Sequence, residues 1–495
     1  MTSNRIIGYL ICFCILLSGI PSPAQDVGKI YYLDGQNGND TYDGTTISHP
    51  WKSLERLNKV TFQPGDQILF KAGTEFNGQF EPKGSGSAEN PIVVDRYGEG
   101  EDPVIHGKGE TQQTIFLKNV EYWEINHLEI TNQGEQPKAG RNGITILAWN
   151  YGEMNHIHLK NLTIRDVNGS TVKSEGGGNG IHWNCGGDSI PSRLVDLLIE
   201  DCHIYRCHRN GITGNGNIDR NKWYPSLGVV IRGNLIEEVP GDGIVPIACD
   251  GALVEKNIFR RGTDLLEMED AAAGIWPWSS DNTVIQYNEV SGHKAKWDAQ
   301  GYDSDYNCFN TVIQYNFSHD NYGGMLLVCN DGNSLGRHYN WGTENTIVRG
   351  NVSINDGLRP YPTRPGWFAP IIHIAGPVKN TLIEENVMVI LPKEKEEMDR
   401  TALIMDQWGE PWSDSTQFVN NIFHVMGDDL PYRIELGESE NVVFEGNIFH
   451  GKFNGLPVDE NERESIPDLI DDFPFPEGFP EDLKVRVIER LAEIR

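Results

Sequence analysis

The sequence is short of three things, and each shortage excludes a class of function. Cations are outnumbered: 41 Lys and Arg face 71 Asp and Glu, for a formal net charge of −30. That balance disfavours nucleic acid and anionic membrane surfaces as partners. Long apolar runs are missing beyond residue 25, so no later segment approaches the ~20 residues that a membrane span needs. Cysteine is scarce as well. Cys12 and Cys14 lie in the N-terminal segment, and the remaining six are Cys185, Cys202, Cys207, Cys249, Cys308 and Cys329. They show no CxxC or Cys/His zinc spacing. Their place in strand-like segments predicts buried free thiols, with oxidation to disulfides as the alternative in an exported protein.

The N-terminus explains why export is expected. "MTSNRIIGYLICFCILLSGIPSPAQ" places Arg5 before an apolar run from Ile6 to Ile20, followed by the small residues Ser22-Pro23-Ala24. This pattern predicts a secretory signal over 1–24, cleaved after Ala24, and a mature protein that is secreted or periplasmic.

Glycine is plentiful, with 54 residues, and one phrase keeps returning. It reads "LLIEDCHIY" at 197, "VVIRGNLIE" at 229, "ALVEKNIFR" at 252, "TVIQYNEVS" at 283, "TVIQYNFSH" at 311, "TIVRGNVSI" at 346, "TLIEENVMV" at 381, "QFVNNIFHV" at 417 and "NVVFEGNIF" at 441. Alternating apolar residues mark a short strand with one buried face. The asparagine sits where the strand bends and can bond the backbone there. If successive turns stack, Asn257, Asn288, Asn316, Asn351 and Asn386 form a column that satisfies otherwise buried amides. The expected fold is all-β: a single-stranded parallel β-helix solenoid over 25–455. Its opening, "IYYLDGQNGNDTYDGT…SLERLN…PGDQILFKAG", predicts an N-terminal cap with a short helix. Residues 456–495 predict an acidic, proline-broken loop and a C-terminal helix that closes the other end.

Over residues 28 to 455 the chain resembles the right-handed parallel β-helix (pectin-lyase-like) superfamily of carbohydrate-active enzymes. The resemblance implies an oligo- or polysaccharide as partner, here expected to be met by a monomer.

The densest acidic segment is "WDAQGYDSDYNCFN", residues 297 to 310. Asp303 and Asp305 alternate in a strand, so their Cα atoms share a face at about 6.6 Å. Two carboxylates at that range drive their proton affinities apart, as glycoside hydrolysis requires. Calcium ligation by the cluster and a solvated acidic turn are the alternatives; no other cofactor is expected. The stretch "DAQGYDSDYNCFNTVIQYNFSHDNYGGMLLVCN" is similar to the active-site coil of β-helix glycosidases of the lacto-N-biosidase type. That resemblance implies Asp298 as the acid and Asp305 as nucleophile or base, with Asp303 as the residue to exchange for either.

Trp276, Trp278 and Trp297 offer faces for stacking on sugar rings. His293, Lys294 and Lys296, together with His319 and Asp320 one coil on, are candidate substrate contacts. Arg359, with Tyr361, Arg364 and Trp367, belongs to an insertion that would wall the cleft. Glu267, Glu269 and Asp270 are reserve acids. A glycoside hydrolase is the leading expectation. The alternatives are a uronate-specific lyase, with a base drawn from His293, Lys294, Lys296 or Tyr302, and a carbohydrate-binding solenoid without catalysis.

Overall fold

The computed structural model describes residues 28–332, 340–363, 368–427, 429–461, 469 and 472–494. The signal segment 1–24, Arg364 and Trp367 lie outside the described residues. The chain coils into three stacks of parallel strands: a sheet of 16, a sheet of 13, and a third stack split into pieces of five and six. Successive coils stay in register. In the first sheet Val230, Leu253, Val284, Val312 and Ile347 pair in one row. Alternate residues of each strand point inward and form one continuous apolar core from Leu33 to Phe444. This is the parallel β-helix expected from the repeat, and crossovers between parallel strands take the right-handed path.

The buried column of asparagines exists as expected and is longer. In the column Asn234, Asn257, Asn288, Asn316, Asn351, Asn386, Asn421 and Asn447, each of the first seven passes a side-chain N–H to the next side-chain oxygen at 2.9–3.0 Å, and Asn447 donates to Asp459 at 2.8 Å. From Asn257 onward each side-chain oxygen also accepts the backbone N–H of the preceding asparagine, and that of Asn234 accepts the Cys202 N–H. A column of amides with no access to water is thereby fully bonded. A second column runs along the edge of the first sheet at left-handed φ. Its non-glycine members are Tyr122, His156, Asp196, Asn282, Asn310, Asn345, Asn380, Ser415 and Asn441, and Asn282, Asn310, Asn345 and Asn380 bond one another in series. Asparagine tolerates that backbone better than other non-glycine residues. His156 and Asp196 stand out in it.

At the N-terminal end the helix Leu54–Leu57 buries both leucines over the core, and Ser53 caps it by accepting the Arg56 N–H at 3.2 Å. The C-terminal helix Glu481–Ile494 is present, but it lies along the side of the solenoid instead of across its end. Its Leu483, Val487 and Leu491 cover the outer face of the 13-stranded sheet at Phe317, Val352, Ile354, Val387, Val389, Ile422 and Ile448. The physical reason lies in those strands, which are apolar on both faces and so need cover outside as well as inside. The six cysteines among the described residues are buried and free of disulfides.

The third stack carries the feature that matters for function. Its two pieces end at Ile244–Val245 and begin again at Tyr302–Ser304, joined through isolated bridges that include Ile275 to Ile244 and to Tyr302, and Trp278 to Ile247. The coils enter this stack on glycines. A Cβ on Gly243 would stand 2.6 Å from the Gly274 carbonyl oxygen, and one on Gly274 would stand 2.4 Å from that of Gly301. Only glycine lets the coils approach so closely.

Candidate active site

The outward residues of the third stack build the floor of a cavity of about 690 Å³. Register sets the first row: His182 beside Thr213, Thr213 beside Val245, then Trp276, then Asp303 beside Leu327. Two residues further along each strand, Asn215, Ile247, Trp278, Asp305 and Cys329 form a second row. The alternation that puts Asp303 outward turns its neighbour Tyr302 inward, where the hydroxyl donates to the Asn288 and Phe317 carbonyls at 2.9 and 3.0 Å. Walls rise from turns at Lys173, Arg209, Asp242, Asp298 and Trp408.

Asp298 reaches the cavity on a strained turn. Trp297–Asp298 pairs with Ala271–Ala272, after which Asp298 and Ala299 take φ of 56° and 62°. Among the described residues no other two consecutive non-glycine residues share positive φ. Arg359, itself buried, donates to the Asp298 carbonyl at 2.7 Å. Strain of this kind persists where the surroundings impose it, as at ligand sites.

The three aspartates are electrostatically distinct. Burial pushes the Asp305 carboxyl up to about 6, against the opposing effect of bonds from the Tyr306 N–H at 2.6 Å and the Cys329 thiol at 3.3 Å. Burial, reinforced by the charges of Asp298, Asp305 and Asp242, holds Asp303 well above the usual carboxylate range. Asp298 is also raised by burial, but Lys173 and Arg359 pull it back. His182, lowered by burial to about 4, is a neutral ring against the Thr213 carbonyl. Asp242 accepts from the Ala273 N–H at 3.0 Å and the Trp276 indole at 3.1 Å. Lys173 lies over the Trp276 ring, 5.2 Å from its centroid.

The structure therefore brings Asp298, Asp303, Asp305, Trp276 and Trp278 together. It places the other candidates elsewhere. His293 is fully buried beside the Phe259 ring. Lys294 and Lys296 line a separate depression with Glu267, Glu269 and Tyr361. Trp297 is half-buried and lines neither cavity. His319 and Asp320 lie under the C-terminal helix, bonded to each other at 2.7 Å, with Arg490 on Asp320 at 2.7 Å. Arg359 acts on the Asp298 backbone from outside the cavity lining. Elsewhere in the chain the ligand atoms of Glu124, His156 and His158 lie within 4.8 Å of one another.

Lys173, His182, Arg209, Asp242 and Trp408 were not singled out from sequence. A signal for some of them is there, in the phrases "NGI" at 142, 179 and 210 and "DGI" at 242, which mark the close-packed entry to the third stack.

A parallel β-helix with an acidic, tryptophan-lined cavity on one face is the class of protein that fold and site define. No protein-family model matches the chain. By sequence it is similar to the lacto-N-biosidase of Bifidobacterium longum subsp. longum, 27% identical over 424 residues that cover 66% of this chain. The chain spans only 26% of that protein's length. The GH136 lacto-N-biosidase from Eubacterium ramulus shares the fold, with a TM-score of 0.60 at 24% identity over 84% of this chain and 68% of that one. Its native form gives 0.59 at 23% identity. The resemblance to lacto-N-biosidase-type β-helix proteins thus holds in sequence and in fold.

Proposed function

We propose that this protein is a glycoside hydrolase that cleaves an oligosaccharide seated in the aspartate cavity. The observation that carries the proposal is that Asp298, Asp303 and Asp305 all line one cavity, with burial raising the proton affinity of all three. Glycosidic cleavage needs one carboxylic acid still protonated near neutrality and one carboxylate. Asp305, at about 6, suits the proton donor to the leaving oxygen. Asp298, nearest in effect to Lys173 and Arg359, suits the carboxylate that attacks the anomeric carbon or activates water there. These roles are the reverse of those carried over from the family resemblance. Asp303, whose proton affinity is raised by burial and by its acidic neighbours, is a hydrogen-bond donor to substrate. Trp276, Trp278 and Trp408 supply apolar faces for sugar rings.

The lyase alternative loses its bases. His293 and Tyr302 are fully buried, and Lys294 and Lys296 open onto another depression. We further propose that the chain is exported after cleavage behind Ala24 and acts as a monomer in the periplasm or medium. The names of its relatives make a lacto-N-biose-capped oligosaccharide the first substrate to try.

The test is mass spectrometry of products after incubation with a panel of host, plant and algal glycans that includes that substrate. Products heavier by one water per cleavage, absent with Asp298→Asn and Asp305→Asn, are expected. Unsaturated uronate products, or wild-type rates in either variant, would overturn the assignment. The anomer first released, followed by NMR, separates direct attack by Asp298 from attack by water.

A further inference from the structure

The left-handed column at the edge of the first sheet is mostly asparagine and glycine, and its three N-terminal coils, at Tyr122, His156 and Asp196, break that rule. His156, at φ 52°, and Asp196, at φ 64°, occupy successive positions of the column. In neighbouring coils Ile157 pairs with Leu197 and Trp123, so Glu124, His156, His158 and Asp196 come together from three adjacent strands. The left-handed φ at His156 interrupts the strict alternation of the strand, so that His156 and His158 are both part-exposed while Met154, Ile157 and Leu159 remain buried.

The contacts have the form of a ligand set. Donor atoms of Glu124, His156 and His158 all lie within 4.8 Å of one another. His156 Nε2 stands 3.2 Å from Glu124 Oε1, while its Nδ1 stands 2.7 Å from Asp196 Oδ2. His158 Nε2 stands 3.0 Å from Asp196 Oδ1. Lys160 engages the other Glu124 oxygen, Oε2, at 3.3 Å and leaves Oε1 facing the histidines. The two imidazoles are 3.8 Å apart by ring centroid. Each ligand side chain retains 16–22% exposure, so an ion in solution can reach them.

We propose that Glu124, His156 and His158 form a binding site for a divalent d-block cation of the zinc class, with Asp196 orienting His156 through its Nδ1–H. Two imidazoles and one carboxylate suit zinc, cobalt or nickel better than calcium or magnesium, which prefer oxygen alone. A carboxylate that holds the remote N–H of a ligating histidine is the usual supporting contact of such sites. Binding releases a proton where the cation replaces one on the imidazole. None of the four residues lines the aspartate cavity, so the site is separate from the proposed hydrolysis. Its consequence is mechanical, because one ion ties two successive coils directly and a third through the His156–Asp196 contact.

Zinc chloride is titrated calorimetrically into the full mature chain after EDTA stripping and desalting, and cobalt(II) absorption is recorded in parallel. One equivalent binds wild type, and cobalt gives the intense visible bands of a four-coordinate nitrogen and oxygen site. Glu124→Gln and His158→Ala, both checked for folding by circular dichroism, lose at least about 100-fold in affinity. Asp196→Asn loses about 10–100-fold, the range for supporting contacts. His450→Ala, at the other close histidine pair, His424 and His450, binds as wild type. The proposal fails if wild type binds no zinc, if Glu124→Gln and His158→Ala bind as tightly as wild type, or if His450→Ala removes the binding. Glycan hydrolysis is unchanged in all these variants, so failure here leaves the hydrolase assignment standing.

Discussion

Two outer faces of the same solenoid treat their acids in opposite ways. On the 13-stranded sheet, Asp320 is drawn down to about 2, because bonds from His319 and Arg490 outweigh the burial that opposes them. His319 is raised to about 9 by Asp320 and Glu289 in spite of burial. Arg486 and Arg490 of the C-terminal helix complete these pairs with Glu289 and Asp320. On the third stack Asp303 is buried and Asp298 and Asp305 are partly buried, but their neighbouring charges include one another, and all three are shifted upward. Burial is common to both faces; partnership is not. Where a partner is supplied the charge becomes a fastener, and where it is withheld the carboxyl keeps a proton that chemistry can use.

The largest effect that would sharpen this contrast is on rate. Asp298→Asn and Asp305→Asn each lower kcat by about 10³-fold or more, the scale expected when an acid–base or nucleophilic group is lost. Asp320→Asn leaves kcat unchanged, and initial rates on the best glycan of the panel check all three. A kcat loss in Asp320→Asn equal to that in the cavity variants would erase the difference between the faces.

Stability should move the other way. Asp320→Asn breaks the bond pair to Arg490 and lowers stability by about 1–2 kcal/mol, less than a fully buried pair would lose because both partners are partly exposed. Asp305→Asn raises it. The folded carboxyl at about 6 lies above its unfolded value, so the native state binds more protons and loses stability as pH rises from 4 through 6. The amide has no such loss. Its thermal midpoint exceeds that of wild type at pH 7, and the gain vanishes at pH 4. For Asp320 the sign is inverted: its contribution is present above pH 4 and fades as pH falls toward 2. Midpoints measured from pH 3 to 8 check both.

Lys173 sits between the two regimes, a partial partner to the cavity acids. It lowers the proton affinity of Asp298, so Lys173→Met raises it and moves the acidic limb of the kcat/KM profile to higher pH. An unmoved limb would detach Lys173 from the site.

The contrast also explains what could be read from sequence. The asparagine column was legible because a buried polar residue must recur at the same place in every coil, and the aspartates because three acids crowd eight positions. Lys173, Arg209 and Asp242 stand 56 to 125 residues before Asp298 in the chain and reach the cavity only by stacking, which no local pattern records. His319 and Asp320 were drawn to the cleft by proximity in sequence. Their coil, however, turns Phe317 and His319 to the helix-covered face. The phrases "NVSI", "NVMV" and "NIFH" carried the clue, since apolar residues on both alternations mean that both faces are covered.

The smallest effect tests the strain at Asp298. Ala299, at φ 62°, has no polar side chain to ease the left-handed backbone. Glycine relieves that conformation while adding freedom to the unfolded chain, so Ala299→Gly changes stability by at most about 1 kcal/mol. Its effect on rate is more telling. If the strained turn and the Arg359 bond together aim Asp298 into the cavity, loosening the turn lowers kcat by several-fold while KM stays near wild type, and Arg359→Lys does the same without touching the turn. A variant with unchanged kcat would place the aim of Asp298 in the Ala271–Ala272 pairing alone, and the cavity would then depend on its strands, as the helix-covered face does.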